Sequence, residues 1–218
     1  MYLYLYYRAN HRKGQTGENE NRAAFHEELL RQALGDYLER NGCTLSEEAL
    51  SAVRILREEK GKPYFPDLIQ PGFRQPDQSP GIRMPAVHFS VSHSGGWWGC
   101  LMADEPVGFD LEVCREKVGY EKIARHFFAE EECGLIIARG REAFFDVWVR
   151  KEAYVKYLGS GLAEGLSSFS VVENGELSPQ VIGGRASGYL GFCEIGPGVR
   201  AAYCCAGGDP VKGTILLK

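Results

Sequence analysis

An α+β fold follows from two features of the sequence: strand-like and helix-like segments come in blocks, and the composition is that of a globular chain long enough to enclose its own core. The 218 residues are 44% hydrophobic, 25% charged and 11% aromatic, which sets aside disordered, collagen-like and coiled-coil classes. The first apolar run, Tyr2 to Tyr7, falls far short of the roughly 20 residues of a membrane span, and no later run reaches that length. The sequence therefore predicts a soluble, unexported, cytoplasmic protein with no membrane partner. A net charge of -4 argues against whole-molecule attraction to nucleic acid, so any phosphate-binding residues must be local. Seven cysteines, an odd number without Cys-x-x-Cys spacing, read as reduced thiols, and any metal here should be a hard one.

Tyr2 to Arg8 predicts a first strand, and a polar loop over 10–17 leads into a helix over about 20–40 with Leu30, Leu34 and Leu38 on one buried stripe. Thr44 and Glu47 have capping-box spacing and predict a second helix to about Lys60, where Gly61 and Pro63 stop it. Prolines crowd the stretch from Pro63 to Pro85, which predicts an irregular connection or a binding loop. Val87 to Val91, Trp97 to Ala103 and Val107 to Val113 predict three strands of one small antiparallel sheet. From Tyr120 to about Gly159 the pattern is helical, broken near Phe128 and Gly140. Strand-like runs follow from Phe169, with a hairpin signal at Asn174-Gly175, and continue through Tyr189 to Ile195, Val199 to Ala206 and Thr214 to Leu217.

Four clusters carry potential chemistry. On a strand, Asp110 and Glu112 share one face opposite Val107, Phe109 and Leu111, which suits either a divalent cation or a solvated strand face. On a helix, Glu152 and Lys156 stack one turn apart with Lys151 about 100° around the axis. That pattern fits a metal ligand beside two phosphate-binding cations, or a surface salt bridge. Ser92 and His93 lie in a turn rich in hydroxyls that can hold an anion, or that satisfies its own imidazole. Glu130, Glu131 and Glu132 begin a helix, where the dipole alone accounts for acidic residues. Walker-type, Gly-x-Gly-x-x-Gly and His-Glu-x-x-His patterns are missing, which removes P-loop, Rossmann and zincin readings.

Taken in order, Gly61-Lys62-Pro63-Tyr64, Phe89-Ser90-Val91-Ser92-His93-Ser94-Gly95, Val107-Gly108-Phe109-Asp110-Leu111-Glu112, Phe127-Phe128-Ala129-Glu130-Glu131-Glu132 and Trp148-Val149-Arg150-Lys151-Glu152-Ala153 with Lys156 form a specific series. Over roughly residues 22–170 the chain resembles the 4′-phosphopantetheinyl transferases of the surfactin-synthetase-activating type. The resemblance implies a single-chain pseudo-dimer: two pseudo-twofold-related α+β halves, residues 1–105 and 106–218, with coenzyme A in the cleft between them. It implies that Asp110, Glu112 and Glu152 bind Mg²⁺, with Mn²⁺ as a substitute, and that Lys151 and Lys156 act on the phosphates. Ser92 and His93 would form the phosphate-binding turn, Gly61, Lys62 and Pro63 the segment beside the adenine, and Arg31 a contact near the 3′-phosphate. Glu132 would be the general base. Three departures from the family pattern are the basic cluster often found upstream of Arg31, whose nearest candidates here, Arg12 and Lys13, sit far from it; Ala129, where a serine often caps the helix; and Phe109 in place of a β-branched residue.

The activity so implied is transfer of 4′-phosphopantetheine from coenzyme A to a serine of an apo acyl or peptidyl carrier protein by a monomeric enzyme, releasing 3′,5′-ADP. Carrier proteins are commonly acidic while this chain is net negative, so docking calls for a local patch, with Arg139, Arg141 and Arg150 as candidates. Two other classes use the same residues. A metal-dependent phosphohydrolase would act on coenzyme A or a nucleotide without a carrier, and a non-catalytic coenzyme A or carrier-binding module would keep affinity after loss of Glu152.

Overall fold

The computed structural model describes residues 1–8, 18–69, 85–161 and 165–218. In chain order its elements begin with β1 (Tyr2–Tyr7), α1 (Glu18–Arg40), α2 (Glu47–Ala52), the short hairpin β2 (Leu56–Arg57) and β3 (Pro63–Tyr64), β4 (His88–Ser94), β5 (Trp97–Ala103) and β6 (Val107–Val113). They continue with α3 (Tyr120–Phe127), α4 (Glu130–Arg139), α5 (Arg141–Leu158), β7 (Ser170–Glu173), β8 (Glu176–Ile182), β9 (Tyr189–Phe192), β10 (Val199–Cys205) and β11 (Gly213–Leu216). The class is mixed α+β. No described helix is long and apolar enough to cross a membrane, and all seven cysteines are free thiols.

One sheet has the order β11-β1-β5-β4 and the other β6-β10-β9-β8-β7. Leu30, Leu34 and Leu38 of α1 are buried with Tyr4, Phe89 and Trp98 of the first sheet, as their spacing predicts. Helices α3 to α5 cover the second sheet through Phe144, Val147, Tyr154 and Val171. A third apolar cluster joins the two sheets, with Leu3, Leu5 and Leu101 from the first meeting Phe109, Leu111 and Tyr203 from the second. The bulk of Phe109 fits there because Gly99 has no side chain; a Cβ at Gly99 would come within 2.8 Å of the Phe109 ring.

Several expectations need correction. Strand β6 does not extend the sheet of β4 and β5; its backbone ladder runs antiparallel to β10 over Val107 to Val113. Toward β4, serine hydroxyls take the place of a ladder, Ser90 accepting from Phe109 N at 2.9 Å and Ser94 from Val113 N at 3.1 Å. Residues 88–94 are therefore strand, and Ser92 and His93 lie on opposite faces of it, not together in a turn. Strand β11 pairs parallel with β1, so a division at residue 105 leaves the strand at 213–216 in the sheet of the first half. Helix α2 stops at Ala52, well before Lys60, and its N-cap is Ser46, which accepts from Ala49 N, not Thr44. Val53 and Ile55 then lead into the β2–β3 hairpin, where Gly61 takes φ 87°. The Asn174-Gly175 hairpin is as expected, both residues left-handed at φ 54° and 76° as the strand twist requires.

Candidate functional site

The site begins at Gly108. A Cβ at this position of β6 would lie 1.9 Å from the Ala153 carbonyl oxygen and 2.4 Å from Tyr157 N, so only glycine lets α5 cross the strand backbone to backbone. That crossing lays one turn of α5, Glu152 to Lys156, against the strand face carrying Asp110 and Glu112. Lys156 Nζ reaches Asp110 Oδ1 at 2.7 Å. The same oxygen accepts from Ser92 Oγ at 2.7 Å, while Asp110 Oδ2 is buried and has no hydrogen-bond partner among the described residues. Glu112 Oε2 accepts from Ser94 Oγ at 2.5 Å.

The electrostatics of this cluster are unfavourable for carboxylates alone. Burial, with the charges of Asp110 and Glu112 added, pushes Glu152 up to about 7 against the pull of Lys156. Burial also raises Glu112, opposed by its bond from Ser94 and reinforced by Asp110. Among the described residues no three His, Cys, Asp or Glu side chains are gathered closely enough to hold a metal ion as they stand. The chemistry of Asp110, Glu112 and Glu152 nonetheless fits a hard divalent cation: the donors are all oxygen, mutual repulsion calls for positive charge, and the orphaned Asp110 Oδ2 lacks a partner among the described residues.

A cleft of about 630 Å³ opens beside the cluster. It is lined by Glu152 and Lys156 of α5, His93 of β4, and Gly61, Lys62 and Pro63 of the hairpin. Six of the sequence-predicted residues therefore share one cavity, with Ser92, Asp110 and Glu112 connected to it through Lys156 and β6. Lys62 donates to the Lys156 carbonyl at 2.7 Å, which ties the hairpin to α5, and burial lowers its pKa. The cleft also holds residues that sequence reasoning passed over: Arg22 and His26 of α1, Arg57 and Lys60 of the hairpin. Arg22, His26 and Leu30 step by four along the helix, a spacing that could have shown a guanidinium and an imidazole in line with the core stripe. His26 and His93 face each other with ring centroids 5.5 Å apart.

Three expected residues lie elsewhere. Arg31 Nη1 donates to the carbonyls of Leu50 at 2.9 Å and Val53 at 2.7 Å, closing the end of α2 and turned from the cleft. Glu132 and Lys151 form an ion pair at 2.8 Å with both side chains 0% exposed. Glu132 accepts from Ala129 N and Val171 N, each at 2.9 Å, while Lys151 donates to the carbonyls of Leu166 and Phe169, each at 2.7 Å. Fully enclosed, neither reaches the cleft, so the geometry gives them a structural task. Glu132 serves as the helix-capping glutamate at the start of α4 that Ala129 cannot complement. Of the basic residues considered for docking, Arg150 is buried, donating to Ser178 O at 2.5 Å, and Arg139 pairs with Glu176 at the surface. Arg12 and Lys13, the nearest basic residues upstream of Arg31, lie outside the described residues.

Comparison with known proteins bears on this arrangement. Residues 106–205 match the family model described as the 4′-phosphopantetheinyl transferase superfamily. The chain is similar to the 4′-phosphopantetheinyl transferase Sfp of Bacillus subtilis (strain 168), 31% identical over 190 residues that cover 84% of this chain and 77% of that protein. It is similar to the 4′-phosphopantetheinyl transferase ffp of Bacillus subtilis, 30% identical over 191 residues with the same coverage of 84% and 77%. The 4′-phosphopantetheinyl transferase psf-1 of Bacillus pumilus is 32% identical over 128 residues, 56% of this chain and 54% of that protein.

Proposed function

The chain belongs to the 4′-phosphopantetheinyl transferases, of the surfactin-synthetase-activating type, and from that premise we propose that it transfers 4′-phosphopantetheine from coenzyme A to a serine of an apo acyl or peptidyl carrier protein, releasing 3′,5′-ADP. The observation that carries this reading is the orphaned Asp110 Oδ2 in a carboxylate cluster that opens, through Glu152 and Lys156, onto a cleft rich in cations. Asp110, Glu112 and Glu152 would hold Mg²⁺, and Mn²⁺ suits the same oxygen donors. Bound there, the ion would supply positive charge to offset that of the coenzyme A pyrophosphate.

The remaining work falls to the chain's own groups. The carrier's serine gives up its hydroxyl proton to solvent water as its oxygen forms the new bond to the β-phosphorus, and the bond from that phosphorus to the oxygen bridging to the departing 3′,5′-ADP breaks. Lys156 faces the cleft and offsets charge on the phosphoryl oxygens as this happens. Lys62, with Gly61 and Pro63, borders the adenosine end. The hydroxyl of Ser92 is engaged by Asp110, so His93, joined by His26 and Arg22, is the better-placed contact for the nucleotide phosphates. We assign the cleft to the junction of two pseudo-twofold halves, 1–105 and 106–218, with β11 returning to the first, and the working unit to a monomer in the cytoplasm.

Intact-mass spectrometry of an apo carrier protein, incubated with the chain, coenzyme A and Mg²⁺, tests the reading against a matched sample in chelator. The expected result is a metal-dependent gain of one phosphopantetheinyl group on the serine, lost in Glu152→Gln. Metal-dependent breakdown of coenzyme A with no gain on several carriers would indicate a phosphohydrolase. Binding of coenzyme A or carrier without either change would indicate a binding module.

A further inference from the structure

Three serines two residues apart fill the joint between β4 and β6, and they do not do the same thing. Among the described residues Ser90 Oγ bonds only the Phe109 backbone, accepting from its N–H at 2.9 Å and lying 3.4 Å from its carbonyl oxygen. Ser92 Oγ donates to Asp110 Oδ1, an oxygen that Lys156 also holds. Ser94 Oγ accepts from Val113 N at 3.1 Å and stands 2.5 Å from Glu112 Oε2. A hydroxyl carries one proton. With the Val113 N–H directed at a lone pair of Ser94, its proton goes to Glu112, which fixes one carboxylate oxygen and leaves Oε1 to offer a lone pair to a cation. Ser94 is only 6% exposed, so water does not compete for that bond. Among the described residues, Ser94 is the one hydrogen-bond donor to the Glu112 carboxylate, whereas Asp110 has two.

We infer that Ser94 is a positioning residue for the metal site, holding the Glu112 carboxylate in the orientation that receives the ion. The inference rests on the reading of Asp110, Glu112 and Glu152 as its ligands. The site's carboxylates come from β6 and α5, but the group that orients Glu112 comes from β4 in the other sheet. Cation affinity thus depends on the β4–β6 joint and not on the second sheet alone.

Binding of Mn²⁺ to the full chain, followed by the electron paramagnetic resonance of the free ion without carrier protein, tests this independently of turnover. Loss of a hydrogen bond to a ligating carboxylate costs about tenfold or more in metal affinity, so Ser94→Ala should weaken Mn²⁺ binding by that factor. Ser94→Thr, which restores the hydroxyl, should recover it. Ser94→Cys, near in volume with only a weak donor, should weaken binding like alanine and serves if the alanine variant does not fold. Ser90→Ala removes a hydroxyl from the same joint and should keep wild-type affinity. In turnover assays Ser94→Ala should raise the Mg²⁺ concentration for half-maximal rate more than it lowers the rate at saturating metal. Wild-type affinity in Ser94→Ala, with affinity lost in Glu112→Gln, overturns the positioning role and leaves the metal site standing. Equal losses in Ser90→Ala and Ser94→Ala overturn it as general loosening of the joint. Undiminished affinity in Ser94→Ala and Glu112→Gln alike overturns both the inference and the metal assignment.

Discussion

Glu132→Gln separates a structural glutamate from a catalytic one. The Glu132–Lys151 pair is 2.8 Å long with neither side chain exposed, and burial presses the Lys151 ammonium below the ordinary lysine range while Glu132 pulls the other way. All three ammonium donors are engaged, by Glu132, Leu166 O and Phe169 O. A carboxamide in place of the carboxylate keeps one acceptor for the two N–H groups of Ala129 and Val171 and strands the lysine's charge. Removing one member of a buried pair costs about 3–5 kcal/mol. In a chain of this length each kcal/mol moves the midpoint by about 2–4 °C, so Glu132→Gln should melt roughly 6–20 °C below wild type. Lys151→Met should cost a comparable amount. The double variant should cost less than the sum, because the second change removes the charge stranded by the first. Circular dichroism melts and denaturant titration read the stability, and kcat is measured well below the transition, where it should stay close to wild type. An unchanged melt with kcat reduced by about 100-fold or more would return Glu132 to the role of general base.

Gly108→Ala places a methyl into the backbone of α5, which cannot give way as a flexible side chain does; we expect a loss of about 1–3 kcal/mol in melts and weaker Mn²⁺ binding as Glu152 moves from Asp110. Retained stability and affinity would contradict the close crossing. Arg31→Ala should lower stability by about 1–3 kcal/mol, since two carbonyls at the end of α2 lose their donor, while leaving the preference for coenzyme A over dephospho-coenzyme A unchanged. Collapse of that preference would show Arg31 at the 3′-phosphate after all. Glu152 is raised from 4.5 to about 7, so between those values the folded chain binds more protons than the unfolded one and metal-free stability should fall as pH rises through that window. Glu152→Gln should flatten the slope, and Mn²⁺ affinity should climb as the pH approaches 7 because the ion displaces the proton. A stability profile rising over the same range would contradict the assignment.

The sequence made legible what alternation and helical period govern. Strands β5 and β6, the breaks that separate α3, α4 and α5, and the shared face of Asp110 and Glu112 all follow from local pattern. The pairing of strands did not: β6 carries the same alternation whether its ladder partner is β5 or β10, and only the serines of β4 mark the side that lacks a ladder. Helix α2 misled because Thr44 and Ser46 both offer a capping oxygen, and its early end depends on Arg31 from another helix.

Lys151 and Glu152 show how far pattern could have gone. They are neighbours in sequence but about 100° apart on the helix. Lys151 continues the buried line of Phe144, Val147 and Tyr154, whereas Glu152 continues that of Trp148 toward Lys156 and the cleft. Read strictly, the period already assigns the lysine to the core, and a buried ammonium demands a buried carboxylate. Glu132, third in a helix whose N-cap is alanine, is the acidic residue whose placement meets that demand. Its sequence position signalled only an acidic residue favoured by the helix dipole; what the fold adds is that the carboxylate accepts from the Ala129 N–H and neutralises a lysine of α5, locking α4 to α5 behind the face that presents Glu152 and Lys156.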